Sequence, residues 1–309
     1  MQSAIGIDVG GTKCLGVRID ASGEVQAETR WPTPPGADAL VDVLVHIVDD
    51  LGPTDAVGIG AAGLVTRDGV FRAAPNLTGI RDLPLRDRLE ARLGRTVAVD
   101  NDAMCALVSE WRLGAAKGVD EVALVTLGTG IGGAYIAGGQ LQRGANGFAG
   151  EPGHMVVDPR GPRCVCGRRG CWERYASGSG LAWLAREAAV AGALDHVVEA
   201  AGGDPSAVRS EHVVAAAEAG DSAAAAVIDD FAWWVAIGLV NLTNILDPEV
   251  LVVGGGLVEV GERLMAPVRQ HFGELLYSPD LRPHPSIRPA AMGERAGGIG
   301  AALVAMGLG

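Results

Sequence analysis

The sequence lacks three features that would assign its class early: an excess of positive charge, a long hydrophobic run and a leader-like start. Its 25 Lys and Arg residues stand against 37 Asp and Glu, a formal net charge of −12. Nucleic acid and anionic membrane surfaces are therefore poor partners for it. No apolar run approaches the roughly 18 residues of a membrane span, and no charged region precedes an apolar stretch near residue 1. We expect a cytoplasmic protein.

Glycine is the residue in excess, with 46 among 309 residues. These glycines follow no G-X-Y period, and hydrophobic residues reach 48%, so neither collagen nor a disordered chain is indicated. Glycine is favoured in tight turns and where backbone approaches phosphate. The placement of the glycines is therefore the first lead to a function.

Two parts of the sequence share one pattern, a glycine turn between two strand-like segments at the head of an α/β unit. The first turn is Gly10-Gly11-Thr12, after the apolar residues 4–9. The second is Gly128-Thr129-Gly130, after residues 121–127. This repetition predicts a duplicated α/β fold, in which two α/β domains surround a cleft.

The domain boundaries follow from the predicted elements and from the length, which suits two domains. We place a small α/β domain at 1–117, completed by a C-terminal helix at about 297–309. A large α/β domain would occupy 118–296 and carry the cysteine-rich loop described below.

Both glycine turns lead from strand to strand, whereas Rossmann and P-loop turns lead into a helix, so those folds are not indicated. The amides of such turns can still surround an anion. Asp8 could hold Mg²⁺ and Lys13 could balance charge. Two ordinary hairpins are the alternative, but the equivalent positions and Gly254–Gly256 after a third buried strand favour a nucleotide.

One histidine and three cysteines have the spacing of a metal site. His154 is followed by Cys164, Cys166 and Cys171, and glycines at 167 and 170 let the loop turn back on itself. One imidazole and three thiolates make a closed tetrahedral set, typical of structural Zn²⁺. Reactive or merely packed cysteines are the alternative. Cys14 and Cys105 lie in apolar surroundings and are assigned to the core.

Polar residues near these motifs suit a neutral ligand rich in hydroxyl groups. Asn101 and Asp102 follow a strand and open a helix, where capping is the simpler explanation, yet only one side chain is needed to cap. If zinc takes one ring nitrogen of His154, the other can bond a substrate hydroxyl. Several carboxylates and amides without a basic cluster point to a sugar; the remaining candidates are Asn76, Glu151 and Glu173.

Three motifs together resemble the ROK family of sugar kinases and repressors: Asp8-Val9-Gly10-Gly11-Thr12-Lys13, Glu151-Pro152-Gly153-His154, and the run from Cys164 to Glu173. The resemblance covers essentially the whole chain. It is strongest to the actinobacterial-type ATP-dependent glucokinases of that family, through Ala62-Gly63, Ala74-Pro75-Asn76 and Val253–Gly256. It implies an actin/hexokinase-like (ribonuclease H-like) fold and phosphorylation of glucose at the 6-hydroxyl.

The resemblance also implies a role for each matching residue. Asp102 is expected to be the general base, structural Zn²⁺ to lie on His154, Cys164, Cys166 and Cys171, and Mg²⁺ to accompany ATP. Pro152 and Met104 depart from the usual pattern. The expected sugar contacts are Gly63, Asn76, Asn101, Asp102, Glu151, His154 and Glu173, and the expected ATP contacts are Asp8, Gly10, Gly11, Thr12, Lys13, Gly128, Thr129, Gly130, Gly132, Gly133, Gly254, Gly255 and Gly256.

Other functions stay open at this point. A kinase for mannose, fructose or N-acetylmannosamine, or one that uses polyphosphate, differs by hydrogen bonds that a sequence does not reveal. A sugar-sensing repressor is disfavoured, because the first strand begins at residue 4 and leaves no room for a DNA-binding segment before it. We expect a homodimer or homotetramer, as is common among the relatives.

Overall fold

The computed structural model describes residues 3–73 and 79–309. The chain forms two compact units, each built from more than one stretch of sequence. Unit 1 comprises Met1–Leu124, Gly133–Gly150 and Ala290–Gly309, and unit 2 comprises Val125–Gly132 and Glu151–Pro289.

Runs of strands and runs of helices follow one another along the described chain. The strands are β1 (Ala4–Val9), β2 (Lys13–Ile19), β3 (Val25–Pro32), β4 (Ala56–Ala61), β5 (Leu64–Val65), β6 (Val70–Ala73), β7 (Arg81–Pro84), β8 (Val97–Asn101), β9 (Val122–Leu127), β10 (Ile131–Ala137), β11 (Gln140–Leu141), β12 (Val250–Gly254) and β13 (Ser286–Pro289). The helices are α1 (Ala37–Leu51), α2 (Leu85–Leu93), α3 (Asp102–Arg112), α4 (Glu173–Ala176), α5 (Gly178–Val190), α6 (Asp195–Ala200), α7 (Ser210–Glu218), α8 (Ser222–Leu246), α9 (Glu262–Leu275) and α10 (Ala296–Ala305).

Two five-stranded sheets repeat one arrangement. The first has the order β3-β2-β1-β4-β8 and the second the order β11-β10-β9-β12-β13. In the first, β1 and β2 form an antiparallel hairpin, while β1, β4 and β8 run parallel. The predicted duplication of an α/β half is therefore confirmed. The small antiparallel sheet β5-β6-β7 was not predicted, because its strands have two to four residues and lack a clear period.

Helix α8 corrects one expectation drawn from the sequence. It is 25 residues long, and by length and composition alone it could cross a membrane, contrary to the expectation that no segment could. Within unit 2, however, its residues Phe231, Val235 and Leu239 are fully buried, and the helix packs against α7 and α9. Its apolar character is therefore explained by burial in the core of unit 2.

Helix α10 packs on unit 1 through contacts that only glycine permits. A Cβ atom on Gly6 of β1 would lie 1.9 Å from the carbonyl oxygen of Gly298, and one on Gly58 of β4 would lie 1.9 Å from that of Ala301. A Cβ on Gly300 would lie 1.6 Å from the carbonyl oxygen of Cys105 in α3. The backbones of α10, the sheet and α3 therefore touch directly, with no side chain between them.

Glu110 holds the far end of α3. Its side chain is completely buried, and its carboxylate accepts hydrogen bonds from the backbone N–H groups of Ala115, Ala291 and Met292 at 2.8–3.0 Å. Charge-assisted bonds of this kind are about twice as strong as neutral ones. One side chain thus joins α3 to the segment that leads into α10.

We expect Glu110→Gln to lower the free energy of unfolding by about 2–4 kcal/mol, because the new NH₂ group faces backbone N–H donors instead of accepting from them. Urea unfolding of the purified protein measures this change. Glu218→Gln, on the exposed end of α7, is the matched control and should change stability by no more than about 0.5 kcal/mol. Equal stability of the two variants would contradict the bridging role of Glu110.

Candidate functional site

In unit 1, predicted site residues lie at the carboxyl ends of three adjacent parallel strands. Asp8 is the fifth residue of β1, Gly63 follows β4, and Asn101 ends β8. The register pairs Asp8 with Gly60, and Ala61 with Asn101. The carboxyl edge of a parallel sheet is where ligands of α/β proteins collect. The fold therefore places these residues on one edge, as a binding site requires.

Asn101 and Asp102 divide two tasks between them. The side-chain oxygen of Asn101 accepts from the N–H groups of Ala103 and Met104, so Asn101 is the N-cap of α3. Its side-chain nitrogen donates to the carbonyl oxygen of Gly63 at 3.1 Å. Asp102 is the first residue of the helix. Helix capping, the simpler explanation for the presence of both residues, thus accounts for Asn101. The presence of Asp102 needs a separate explanation.

Asp8 and Asp102 both have carboxyl groups with altered acidity. Burial and repulsion from Asp102 raise the pKa of Asp8 from 3.8 to about 7. The positive charge of Lys13 has a smaller effect, which lowers the pKa. Burial also raises the pKa of Asp102. A Cβ atom on Gly297, near the start of α10, would lie 2.7 Å from the Asp8 carboxyl carbon. No sequence motif marks Gly297, whose missing side chain lets α10 approach this carboxylate.

The first glycine turn is closed by short backbone contacts within unit 1. Gly10 N–H donates to the carbonyl oxygen of Lys13. The Thr33 hydroxyl donates to the carbonyl oxygen of Gly10 at 2.7 Å. The ammonium group of Lys13 lies 3.1 Å from the Glu294 carboxylate, and both side chains are about half exposed. Gly11 and Thr12, at the tip of the turn, are exposed.

In unit 2, the second glycine turn contacts two of the other predicted motifs. Gly128 N–H donates to the carbonyl oxygen of Gly130, and the Glu173 carboxylate accepts from Ile131 N–H at 3.0 Å. A Cβ atom on Gly130 would lie 2.4 Å from that carboxylate. A Cβ on Gly255, whose φ is +84°, would lie 2.4 Å from the carbonyl oxygen of Leu127. The turn, Glu173 and Gly254–Gly256 are therefore neighbours.

Two further glycines of the predicted ATP site, Gly132 and Gly133, lie on β10 just after this turn. Gly132 N–H donates to the hydroxyl of Thr126 at 3.2 Å, and Gly133 N–H donates to the carbonyl oxygen of Gly150 at 3.1 Å. Thr129, at the tip of the turn, is exposed.

The predicted metal ligands come together in unit 2. The ligand atoms of His154, Cys164, Cys166 and Cys171 all lie within 4.8 Å of one another. The Cys164 sulfur is 3.8 Å from His154 Nδ1, and the sulfurs of Cys166 and Cys171 are 3.5 Å apart. Thiolates at about 2.3 Å from a tetrahedral zinc would lie about 3.8 Å apart. The donor set and its spacing fit Zn²⁺.

The nitrogen that His154 turns to the cysteines is Nδ1, which leaves Nε2 on the opposite side of the ring. Nε2 lies 4.0 Å from the Glu151 carboxylate. Pro152 and His154 belong to a short 3₁₀ helix in which proline is the first residue, a position that needs no N–H donor. This explains why proline is tolerated at that place in the motif.

The cysteine loop is attached to the core of unit 2 by Trp172. Its indole ring fills the space left by the missing side chain of Gly238, where a Cβ would lie 1.9 Å from the ring. Its N–H donates to the carbonyl oxygen of Trp234 in α8 at 2.7 Å. Glu173, the next residue, is therefore placed by a rigid anchor. Asn76, another predicted sugar contact, lies outside the described residues.

Asp8→Asn should stabilise the metal-free protein increasingly as the pH rises. The native state binds the Asp8 proton more tightly than the unfolded chain, so the unfolding free energy of the wild type falls as pH rises from about 4 to about 7. Asparagine does not titrate, so the unfolding free energy of the variant lacks this decrease. Calorimetry at about pH 5 and pH 8 measures the difference in melting temperature between the two proteins.

The matched control for that measurement is Asp49→Asn, a change at an exposed position of α1. It should show the same melting-temperature difference from wild type at both pH values. If the Asp8→Asn difference were likewise constant with pH, the pKa of Asp8 would not be raised in the native state.

Comparison with known proteins gives a consistent result. A model of the ROK family matches residues 4–307. Glucokinase from Streptomyces coelicolor is 38% identical over 311 residues, which covers 99% of this chain and 98% of that protein. N-acetylmannosamine kinase from Citrobacter koseri is 34% identical and covers 99% of both chains.

A solved structure matches over the same extent. The ROK family glucokinase from Streptomyces griseus, in complex with glucose and AMPPNP, has a TM-score of 0.88, 38% identity and 99% coverage of both chains. This match confirms the two-domain α/β fold that the sequence motifs implied. The chain belongs to the ROK family.

Proposed function

We propose that this protein phosphorylates glucose at the 6-hydroxyl with ATP as the donor. The observation that carries the proposal is the full-length similarity to a glucokinase whose structure contains glucose and AMPPNP. The carboxylate of Asp102, which follows the end of β8, supports it. AMPPNP is an analogue of ATP, which favours ATP over polyphosphate. The proposed reaction needs ATP, and the proposed metal site needs reduced cysteine thiols. Both requirements are met in the cytoplasm.

Asp102 is the general base of the proposed reaction. Its raised pKa makes its carboxylate a better proton acceptor than an ordinary aspartate. In phosphoryl transfer the nucleophile needs orientation more than early deprotonation. Asp102 would therefore hold the 6-hydroxyl in line with the γ-phosphate and take its proton as the oxygen–phosphorus bond forms. Asn101, by capping α3, fixes the position of this carboxylate.

The sugar contacts proposed alongside Asp102 are further polar groups. In unit 1 they are Asn101 and the backbone at Gly63, which are bonded to each other. In unit 2 they are Glu151, Glu173 and His154, whose Nε2 is the nitrogen directed away from the cysteine cluster. Carboxylates accept hydrogen bonds from hydroxyl groups, and an imidazole can accept or donate them, which suits an uncharged hexose. Asn76 stays a predicted contact.

The backbone amides of the two glycine turns would hold the phosphates of ATP. The proposed groups are those of Gly10, Gly11, Thr12 and Lys13 at the first turn and those of Gly128, Thr129, Gly130, Gly132 and Gly133 at the second, with Gly254–Gly256 beside the adenosine. Asp8 fits Mg²⁺, which is bound as part of the nucleotide substrate, because a buried carboxylate gains most from a cation. Mg²⁺ would neutralise charge on the phosphate oxygens.

A structural Zn²⁺ on His154, Cys164, Cys166 and Cys171 completes the proposal. With four protein ligands it would have no open position and would organise the loop instead of activating water. Its binding through Nδ1 of His154 would hold Nε2 in place for a sugar hydroxyl. Assembly into a homodimer or homotetramer remains a prediction.

N-acetylmannosamine is the second candidate substrate, favoured by the full-length similarity to a kinase of that name. Single hydrogen bonds discriminate such sugars. A coupled assay over a panel of hexoses, each with ATP and with polyphosphate, tests the choice. The highest kcat/KM is expected for glucose with ATP, and a higher value for another sugar would replace this assignment.

Asp102→Asn should lower kcat by about 10²–10⁴-fold and leave the dissociation constant for glucose nearly unchanged, because the amide still orients the hydroxyl but does not take its proton. A coupled assay and calorimetric glucose titration measure the two effects. Asp87→Asn, on the exposed face of α2, is the matched control. Turnover near the wild-type rate in Asp102→Asn would exclude Asp102 as the base.

Metal analysis of the purified protein should find one zinc per chain. Cys166→Ser should abolish this zinc, lower the melting temperature and weaken glucose binding, since the loop that carries His154 loses its crosslink. Val165→Ser, at the exposed residue between two proposed ligands, should keep the metal. Zinc-free wild-type protein with full glucose affinity would reject the site.

A further inference from the structure

A polar cavity within unit 1 has no role in the proposed reaction. Its volume is about 190 Å³, and three arginines line it: Arg67, Arg86 and Arg143. The fourth charged residue of its lining is Asp100, which is buried. The lining thus carries three positive charges and one negative charge in a protein whose net charge is −12.

Hydrogen bonds hold the three arginines in place around this cavity. The Arg86 side chain donates to the carbonyl oxygen of Arg67 at 3.1 Å. The Arg67 side chain donates to the carbonyl oxygen of Gly144 at 2.8 Å. The Arg143 side chain donates to the carboxylate of Asp100 at 2.7 Å. Each guanidinium uses one nitrogen in these bonds. Among the described residues, the other N–H groups of the three arginines have no protein acceptor and are available to a ligand.

The positive charges of three arginines that line one cavity repel one another, and an anion bound in the cavity would offset this repulsion. Asp100 offsets the charge of Arg143, and its other oxygen accepts from Asn101 N–H at 3.0 Å. The exposed carboxylate of Asp68, an electrostatic neighbour of Arg86, offsets part of a second charge. Guanidinium groups are the preferred partners of phosphate oxygens, since their N–H groups match the spacing of those oxygens.

We propose that this cavity binds one phosphate dianion, either inorganic phosphate or the phosphate group of a sugar phosphate. The bound anion contacts Arg67, Arg86 and Arg143 and shares Arg143 with Asp100. The site is distinct from the glycine turns: no residue of its lining belongs to either turn. It does not rest on the proposed kinase activity, since anion binding needs no turnover.

Calorimetric titration with inorganic phosphate, in a buffer of low ionic strength at about pH 7.5, tests the site. Saturable binding is expected for the wild type. Arg67→Ala/Arg86→Ala should weaken it by at least about tenfold through the loss of charge-assisted bonds. Asp100→Asn should strengthen it, because the competing carboxylate is removed. Arg81→Ala, the same loss of charge at an exposed position of β7, should leave it unchanged.

A second titrant, glucose 6-phosphate, separates the two sources of the anion. Tighter binding of the sugar phosphate than of inorganic phosphate, lost in the double variant, assigns the site to a phosphorylated sugar; equal affinities assign it to phosphate alone. Phosphate bound at the glycine turns would be unaffected by the arginine substitutions. Arg86→Gln, a milder change, replaces the double variant if that protein fails to fold.

Absence of saturable phosphate binding to the wild type up to about 50 mM would overturn the proposal. So would an affinity of the folded double variant equal to that of the wild type. Neither result bears on glucose phosphorylation, which is measured by turnover and depends on Asp102.

Discussion

The direct contact between the backbone of α10 and the backbones of β1, β4 and α3 is the constraint on which unit 1 depends. Glycine at positions 6, 58 and 300 removes the Cβ atoms that would otherwise separate these elements. Because the interior is close-packed, a methyl group at any of them would have to move a whole helix. The same contact fixes the start of α10 beside Asp8 and the first turn of α3, where Asp102 lies.

This arrangement explains why so many glycines occur in one chain. Some form the two turns proposed to surround the phosphates of ATP, and others shape the cysteine loop. A third group, visible only in the structure, serves close packing of helix on strand, as at Gly58, or of an aromatic ring on a helix, as at Gly238. The binding groups and the core thus use the same property, the absence of a side chain, for different ends.

Much of the fold follows from sequence pattern, and the exceptions have physical causes. The glycine turn that recurs after residues 4–9 and after residues 121–127 predicted two equivalent α/β halves, and the two five-stranded sheets have equivalent strand orders. The spacing of His154 and the cysteines predicted a cluster that the structure forms. Glu110, by contrast, looks like an ordinary helix residue, and its backbone partners at 291 and 292 lie about 180 positions away. Long-range pairing to backbone carries no sequence signal.

The distance along the chain between α10 and its partners has a consequence for biosynthesis. Strands β1 and β4 end before residue 62, yet the helix that covers them begins at Ala296. All of unit 2 is synthesised in the interval. The sheet of unit 1 is therefore not covered by α10 until most of the chain has been synthesised, and apolar surface exposed in this way favours association with other chains.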